Sequence, residues 1–188
     1  EQMEQNDKVV ILGDAVGVAG GCGGSTSGLL ATFGASRVRD MPVSDRGTVG
    51  VAVGLALAGM VPVVEVESVG RLFDLAPALH EAGRLLKQTA ISMVIRVPFG
   101  TQAGDVVDAP ALSAILGVPG IRIGAIGSAS SARAQLTEAL SGGLTVLLEP
   151  RVLYNQADTN TPVTAATRVM HGTDVTLAAW GSGVVAAC

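Results

Sequence analysis

Short apolar runs recur along the chain, and each one ends at glycine, proline or polar residues. Runs that are continuous rather than alternating are typical of strands buried on both faces of a sheet. The runs that predict strands are KVVIL at 8–12, a short segment near Val38, VPVVEVE at 61–67, ISMVIRVP at 91–98, a segment at Ile121 and LTVLLEP at 144–150.

Stretches of helical character separate these runs. The stretch from Gly17 to Gly28 predicts a loop or a loosely started helix that leads into LLATFG, and longer segments predict helices at 42–59, 72–87, 111–116 and 130–140. Strands that alternate with helices in this way predict an α/β protein. We expect a mostly parallel sheet with helices on both faces, which is a three-layer α/β/α arrangement.

The chain changes character after the last of these strands. From Arg151 to Gly172 it is rich in Asn, Thr, Asp and Pro, which indicates a linker or an extended arm. The segment VTLAAWGSGVVAAC then has the pattern of a strand, a glycine turn and a first helical turn. We therefore expect one domain over 1–150, a linker over 151–173, and the beginning of a truncated second α/β domain over 174–188.

Composition and charge exclude several classes of function. Of the 188 residues, 48% are hydrophobic and 15% charged, which favours a protein with large buried interfaces. The net charge of −4 comes without a cluster of Lys or Arg, so neither nucleic acid nor an anionic membrane surface is an expected partner. The two cysteines, Cys22 and Cys188, form no disulfide framework, and this favours the cytoplasm.

Motifs for the common catalytic and binding sites are missing from the sequence. The longest uncharged run, 48–64, is divided by Gly59 and Pro62 into pieces too short to span a membrane. The glycine-rich loop contains no GxGxxG and no P-loop lysine, so a packing or interface loop is the more natural interpretation. His80 and His171 lie far apart, and no metal site is expected in this chain.

The segment PVSDRGTVGVAVGLALAG, at 42–59, combines an apolar helix with an acid in its first turn. A helix that is apolar on all sides is expected to be buried on all sides, and Gly47, Gly50 and Gly54 would let a neighbour approach closely. An interface is the expected location. Asp45 has a simple explanation as a partner of the helix dipole beside the cap Ser44.

Several blocks of the sequence give the acid a second explanation. Read together and in this order, they resemble the β subunit of thiamine-diphosphate-dependent 2-oxo acid dehydrogenases of the pyruvate and branched-chain type. The blocks are VVILGDAVGVAGG, SGLLATFGASRVRDMPVSDRGTVGVAVGLALAGMVPVVEVE, VIRVPFG, PGIRIG, VLLEPRVLY and DVTLAAWGS.

The resemblance implies a transketolase-like pyrimidine-binding domain and a site shared between subunits. The β subunit would hold the aminopyrimidine of thiamine diphosphate, and an α-like subunit would hold the diphosphate and magnesium, in a heterotetramer with a β–β interface. The family decarboxylates a 2-oxo acid and passes the acyl group to a lipoyl carrier. Asp45 would be the catalytic acid, because the family's acid at this position bonds a ring nitrogen and favours the imino tautomer.

The sequence departs from the family pattern at several site residues. The family has Glu where this chain has Asp45, and one methylene fewer withdraws the carboxylate by about 1.5 Å, which stretches a hydrogen bond of about 2.8 Å beyond its range. Glu67 stands where a Gln or a similar residue is usual. Arg71, or Ser68 near it, replaces an aromatic that packs on the pyrimidine. The loop Asp105–Pro110 reads DVVDAP and lacks the family's histidine.

The remaining acids have two interpretations each. Asp14 would support the site or order the neighbouring loop. Glu67 and Arg71 would flank the pyrimidine, or form a surface or interface ion pair. Asp105 and Asp108 would line a substrate loop, or be ordinary solvated loop charges.

Two functions are consistent with the resemblance and with the site residues that depart from the family. The first is an enzyme subunit that decarboxylates a 2-oxo acid, or cleaves a ketol donor, and transfers the acyl or two-carbon unit to a lipoyl or carrier-protein acceptor. The second is a catalytically silent subunit that supports or regulates an α-like partner.

Overall fold

A computed structural model describes residues 1–87, 91–100, 109–157 and 168–187. The centre of this described part is a single sheet of six strands, and they coincide with the apolar runs of the sequence. The strands are β1 (Val9–Gly13), β2 (Val38–Asp40), β3 (Val61–Glu65), β4 (Ser92–Phe99), β5 (Ile121–Ala125) and β6 (Gly143–Pro150).

All neighbouring strands run parallel, in the order β2-β1-β3-β4-β6-β5. The carboxyl ends of the strands therefore meet at one edge of the sheet. β1 lies between β2 and β3, so the chain turns to opposite sides of β1 as it adds these strands. Ligands of open α/β sheets bind in the crevice outside the carboxyl ends at such a reversal, and the predicted site residues follow β1, β2 and β3.

Helices of the described part cover both faces of the sheet. They are α1 (Gln2–Gln5), α2 (Leu29–Phe33), α3 (Asp45–Leu57), α4 (Leu72–Leu86), α5 (Ala109–Leu116), α6 (Ala129–Ala139) and α7 (Ser182–Ala187), with short 3₁₀ turns at Cys22–Gly24, Val69–Arg71 and Arg151–Leu153.

Two hydrophobic clusters lie on the two faces. α3, α4 and α5 pack on one face with side chains of β4 and β6, and α1, α2 and α6 pack on the other with side chains of β1 and β3. The predicted three-layer α/β/α arrangement with a parallel sheet is confirmed. Large side chains at the centre of these layers include Leu12, Leu75, Leu79, Met93, Ile95 and Leu147.

α3 begins at the predicted acid. The side chain of Ser44 caps the helix by accepting a hydrogen bond from the Gly47 amide at 3.3 Å, and the helix ends before Gly59, whose φ of +87° favours glycine. One side of the helix is buried in the core. The other side is exposed in this chain, against the expectation that the helix is buried on all sides; its members are Gly47, Gly50, Val51, Gly54 and Leu57.

Packing of this domain extends beyond the predicted boundary at residue 150. Leu153 is buried in the cluster under α6, and the Tyr154 hydroxyl bonds back to the sheet. Residues 168–180 form no helix or strand, although a strand was expected from residue 174. A strand requires a neighbour to pair with, and here Val175 and Leu177 are exposed instead.

Two further observations bear on function. Among the described residues, no helix is long and apolar enough to cross a membrane. Asp105 and Asp108, the predicted substrate-loop residues, lie outside the described residues.

Candidate functional site

Asp45 lies at the carboxyl edge of the sheet, as the first residue of α3, and its carboxylate is paired with an arginine of the same chain. Arg71 Nη1 donates a hydrogen bond to Asp45 Oδ2 at 3.0 Å. The side chains are 22% exposed for Asp45 and 34% for Arg71. A pair that is neither buried nor fully solvated keeps part of its attraction and remains accessible from solvent.

Arg71 ends the 3₁₀ turn that follows β3, and its guanidinium contacts a second acid. Nη2 donates to Glu67 Oε2, four residues earlier in the chain. The hydrogen bond and the negative charge of Asp45, with a smaller contribution from Glu67, raise the pKa of Arg71 above its ordinary value. Arg71 therefore stays charged and joins two carboxylates. We call Asp45, Arg71 and Glu67 the arginine bridge.

The other predicted cofactor-binding residues are not drawn into this bridge. Asp14 follows β1, is exposed, and contacts no charged or hydrogen-bonding partner among the described residues. Ser68 precedes the 3₁₀ turn and makes no capping hydrogen bond with its side chain. The structure thus brings together Asp45, Glu67 and Arg71 of the predicted set, with Ser68 adjacent in sequence.

A second polar cluster, which was not predicted, lies beneath the glycine-rich loop. Arg96 on β4 forms a two-pronged contact with Glu149 on β6, with Nε to Oε1 and Nη2 to Oε2 both at 2.7 Å. Arg96 Nη1 also lies 3.4 Å from Glu65 Oε2. The Tyr154 hydroxyl donates to Glu149 Oε2 at 2.8 Å. We call Glu65, Arg96, Glu149 and Tyr154 the buried cluster.

Glu65 connects the buried cluster to the glycine-rich loop. Its Oε1 accepts from the Cys22 amide at 2.6 Å and its Oε2 from the Ser25 hydroxyl at 2.7 Å. The loop comes so close that a Cβ on Gly21 would lie 2.6 Å from Glu65 Oε1, and Gly21 has a φ of +70°. The expected packing role of the loop is thereby explained: the Cys22 amide and the Ser25 hydroxyl hold a carboxylate of the same chain where a phosphate loop would hold an anion.

Burial and charge shift several pKa values in this region. Burial alone would lower the pKa of Arg96, but the charge and hydrogen bonds of Glu149, helped by Glu65, raise it above its usual value. The pKa of Tyr154 is raised, first by burial and then by the negative charge of Glu149. The pKa of the Cys22 thiol is also raised, mainly by burial, so Cys22 is a poorer nucleophile than a free thiol.

A third carboxylate was missed by the sequence analysis. Asp40, the last residue of β2, accepts from the Gly17 amide at 2.6 Å and from the Val18 amide at 3.1 Å. It orders the segment after β1. Two of the missed acids, Asp40 and Glu65, end strands on either side of β1. The available signal was the charge itself, since Glu65, Arg96 and Glu149 interrupt runs that the pattern predicts to be buried.

The described residues offer an acid and a cation but no evident metal site. They contain no group of three or more His, Cys, Asp or Glu side chains placed to hold a metal ion. The arginine bridge can accept a hydrogen bond at the free oxygen of Asp45, and Glu65 of the buried cluster holds the glycine-rich loop.

Comparisons with known proteins agree with the fold. Residues 1–157 match the family described as transketolase, pyrimidine binding domain. The chain is 30% identical, over 97% of its length and 60% of the relative's, to the pyruvate dehydrogenase E1 component subunit beta of Acholeplasma laidlawii. It is 36% identical to the subunit of the same name from Leifsonia xyli, over 94% of the chain and 57% of the relative.

A third relative and a solved structure extend the comparison. The 2-oxoisovalerate dehydrogenase subunit beta of Pseudomonas aeruginosa is 38% identical over 52% of this chain and 29% of its own. A structure titled "Split gene transketolase, inactive beta4 tetramer" shares the fold with a TM-score of 0.61 at 18% identity, over 80% of this chain and 47% of its own.

The resemblance to pyruvate and branched-chain β subunits that the sequence suggested is confirmed by these relatives. The chain spans about 60% of the length of the two pyruvate dehydrogenase subunits it matches. The match over 1–157 covers the whole six-stranded sheet and both polar groups described above. The chain belongs to the transketolase pyrimidine-binding-domain family.

Proposed function

We propose that this chain is the pyrimidine-binding side of a thiamine-diphosphate-dependent heteromeric enzyme, with Asp45 as its catalytic acid. The observation that carries the proposal is the place of Asp45: a partly buried carboxylate at the start of α3, on the edge of the sheet where the carboxyl ends meet. The family of the chain and its pyruvate dehydrogenase relatives support this assignment.

One carboxylate oxygen of Asp45 is free to contact the cofactor. Oδ2 of Asp45 is held by Arg71, whereas Oδ1 has no hydrogen-bond partner among the described residues. A carboxylate oxygen of this kind can accept a hydrogen bond from a ring nitrogen of the aminopyrimidine. Glu67, Arg71 and Ser68 would lie around that ring, and Asp14 would lie at the end of the neighbouring strand. Arg71 offers no aromatic face for the pyrimidine.

The chemistry would be divided between cofactor and chain. When bound, thiamine diphosphate supplies a nucleophilic thiazolium carbon, on which decarboxylation of a 2-oxo acid or cleavage of a ketol donor takes place. Asp45 would share a proton with the ring nitrogen of the aminopyrimidine, and the cap at Ser44 fixes its backbone for this purpose. The acyl or two-carbon unit would pass to a lipoyl or carrier-protein acceptor, with Asp105 and Asp108 near its route.

The exposed side of α3 supports the proposed assembly. An added Cβ on Gly50 or Gly54 would meet nothing within 4 Å, so this side presents a flat apolar strip that includes Val51 and Leu57. Such a strip allows close packing against another subunit. We propose an α-like partner that holds the diphosphate and magnesium, a β–β contact in a heterotetramer, and a cytoplasmic location.

The test is calorimetric titration of thiamine diphosphate with magnesium into the full-length chain co-expressed with its α-like partner. Wild type is compared with Asp45→Asn and with Asp74→Asn, an exposed acid in the first turn of α4 that serves as control. We expect binding in wild type and the control, and a loss of at least tenfold in affinity for Asp45→Asn. Equal affinity in all three proteins would remove Asp45 from the site.

The alternative is a catalytically silent subunit that supports or regulates its partner. The observation that favours it is the arginine bridge, because the proposed acid is already paired inside its own chain. The same titration discriminates between the two functions. A well-folded heteromer whose wild type binds no cofactor would leave the silent subunit as the function.

A further inference from the structure

The arginine bridge places a cation against the carboxylate that the cofactor needs. Arg71 Nη1 lies 3.0 Å from Asp45 Oδ2, and the opposite end of the same guanidinium contacts Glu67. A ring nitrogen that shares a proton with Asp45 would bring a second positive donor to this carboxylate. Among the described residues Oδ1 of Asp45 is free for the ring nitrogen, but a protonated ring on Oδ1 and the guanidinium on Oδ2 carry like charges at close range, so each weakens the attraction of the other to the carboxylate. Arg71 and the aminopyrimidine therefore compete for Asp45.

We propose that Arg71 is a built-in competitor that controls how fully the pyrimidine site is occupied. In the closed state the guanidinium lies on Asp45, as in this structure. In the open state it is released from Asp45 and held by Glu67 alone, and the aminopyrimidine takes the acid. The inference rests on the proposed function, because it concerns the same site.

The way in which each residue of the arginine bridge is held determines which side chain can move. Asp45 is fixed by the start of α3 and the Ser44 cap, so the acid cannot easily withdraw. Arg71 is attached by a long side chain that is 34% exposed. The backbone at Glu67 is held by Arg151, whose Nη2 donates to the Glu67 carbonyl at 3.2 Å. The movable element is the side chain of Arg71.

Glu67 makes the release of Arg71 possible. The Glu67 side chain is 58% exposed and lies four residues before Arg71, so it can follow the guanidinium outward. An arginine that leaves Asp45 then keeps an anionic partner and access to water, and no charge is left buried and unpaired. Glu67 thus favours the open state, whereas Asp45 favours the closed state.

Competition of this kind lowers the apparent affinity of the cofactor. The apparent dissociation constant is the intrinsic constant divided by the open fraction. A partly exposed ion pair shifts such an equilibrium by a small factor. We therefore expect the closed state to weaken cofactor binding by about threefold to tenfold, with opposite effects when Arg71 or Glu67 is changed.

The experiment titrates thiamine diphosphate with magnesium into the full-length chain in complex with its α-like partner, read by heat and not by activity. Arg71→Met removes the cation at similar length and should tighten binding about threefold to tenfold. Glu67→Gln removes the second partner and should weaken binding. Arg84→Met is the matched control, since Arg84 also pairs with a nearby acid, Glu81, but on the exposed side of α4.

Each outcome decides the question. Tighter binding in Arg71→Met together with weaker binding in Glu67→Gln supports the inference. Unchanged or weaker binding in Arg71→Met overturns the inference while the proposed function stands. Binding in no variant, with heteromers that remain folded by circular dichroism, overturns both. Arg71→Gln, a second neutral variant, repeats the comparison if Arg71→Met does not assemble.

Discussion

Glu65 on β3 and Arg96 on β4 lie opposite each other in the sheet, and their side chains, which are 3% and 14% exposed, approach to 3.4 Å. Arg96 is at the same time held by Glu149, and Glu65 by the Cys22 amide and the Ser25 hydroxyl. The buried charges are therefore paired on all sides, which is the condition under which a core tolerates them. Glu65 joins the sheet to the loop.

Glu65→Gln is expected to destabilise the protein by about 2–4 kcal/mol. The glutamine amide keeps the shape of the side chain but loses its charge. Its NH₂ group would face a hydrogen-bond donor at a place where a carboxylate oxygen of Glu65 accepts a hydrogen bond, so buried polar groups would be left unpaired. Urea denaturation measures the change. Glu67→Gln is the control, since Glu67 is exposed, and it should shift the free energy of unfolding by less than about 0.5 kcal/mol. Equal effects for the two variants would show that Glu65 is not a buried anchor.

Tyr154→Phe is expected to cost about 1–2 kcal/mol at pH 7, because the hydroxyl donates to the charged Glu149 at 2.8 Å. The pKa of Tyr154 is raised in the folded state, so its contribution is complete below its ordinary pKa of 10.0. Above that pH the unfolded chain releases the proton first, and the advantage of wild type should fall by about 1.4 kcal/mol per pH unit.

The measurement for Tyr154 is urea denaturation of wild type and variant from pH 7 to pH 11. Groups common to both proteins, including the Cys22 thiol, cancel in the difference between them. A difference that stays constant across this range would mean that Tyr154 ionises as easily folded as unfolded, and that its burial against Glu149 is not maintained in solution.

The arginine bridge is expected to contribute modestly to stability. We expect a double-mutant cycle with Asp45→Asn and Arg71→Met to give a coupling free energy of about 0.5–1 kcal/mol at low salt, since both side chains are partly exposed. The coupling should weaken at 1 M salt, where charges are screened within about 3 Å. A coupling of zero at low salt would mean that the two side chains do not pair in solution, and the competition for Asp45 would lose its basis.

The order of the elements was predictable because each depends on local pattern. The continuous apolar runs of residues 8–150 predicted the buried strands from local pattern alone, and glycines such as Gly59 mark where helices end. The first helical residue of α3 was found for the same reason, since a Ser followed by an acid before an apolar run is a local signal. These parts of the fold required no knowledge of distant contacts.

The polar groups of the site depend on distant contacts and were harder to predict. Glu65, Arg96 and Glu149 are far apart in sequence and meet only because β3, β4 and β6 are neighbours in the sheet. Arg71 was expected to flank the site, but its contact with Asp45 follows from the 3₁₀ turn after β3, which no sequence pattern indicated. The strand expected from residue 174 is not formed, because a strand also requires a neighbouring strand to pair with.

The exposed side of α3 gives the last prediction, in which stability and assembly change in opposite directions. An added Cβ on Gly54 would meet nothing within 4 Å. Gly54→Ala should therefore raise the free energy of unfolding of the isolated chain by about 0.5–1 kcal/mol, because alanine restricts the unfolded backbone and favours a helix. Gly83, which lies equally near the end of α4, is the matched control.

A Cβ on Gly83 would lie 2.7 Å from the Pro119 carbonyl oxygen, so Gly83→Ala should destabilise the chain. If a partner subunit packs on the exposed side of α3, even the single methyl of Gly54→Ala should weaken association, and Gly54→Leu should abolish it. Sedimentation velocity of the full-length chain with the proposed α-like partner measures both effects. Assembly that is unchanged in Gly54→Leu would place the interface elsewhere, since a leucine at this position cannot be accommodated in a closely packed helix contact.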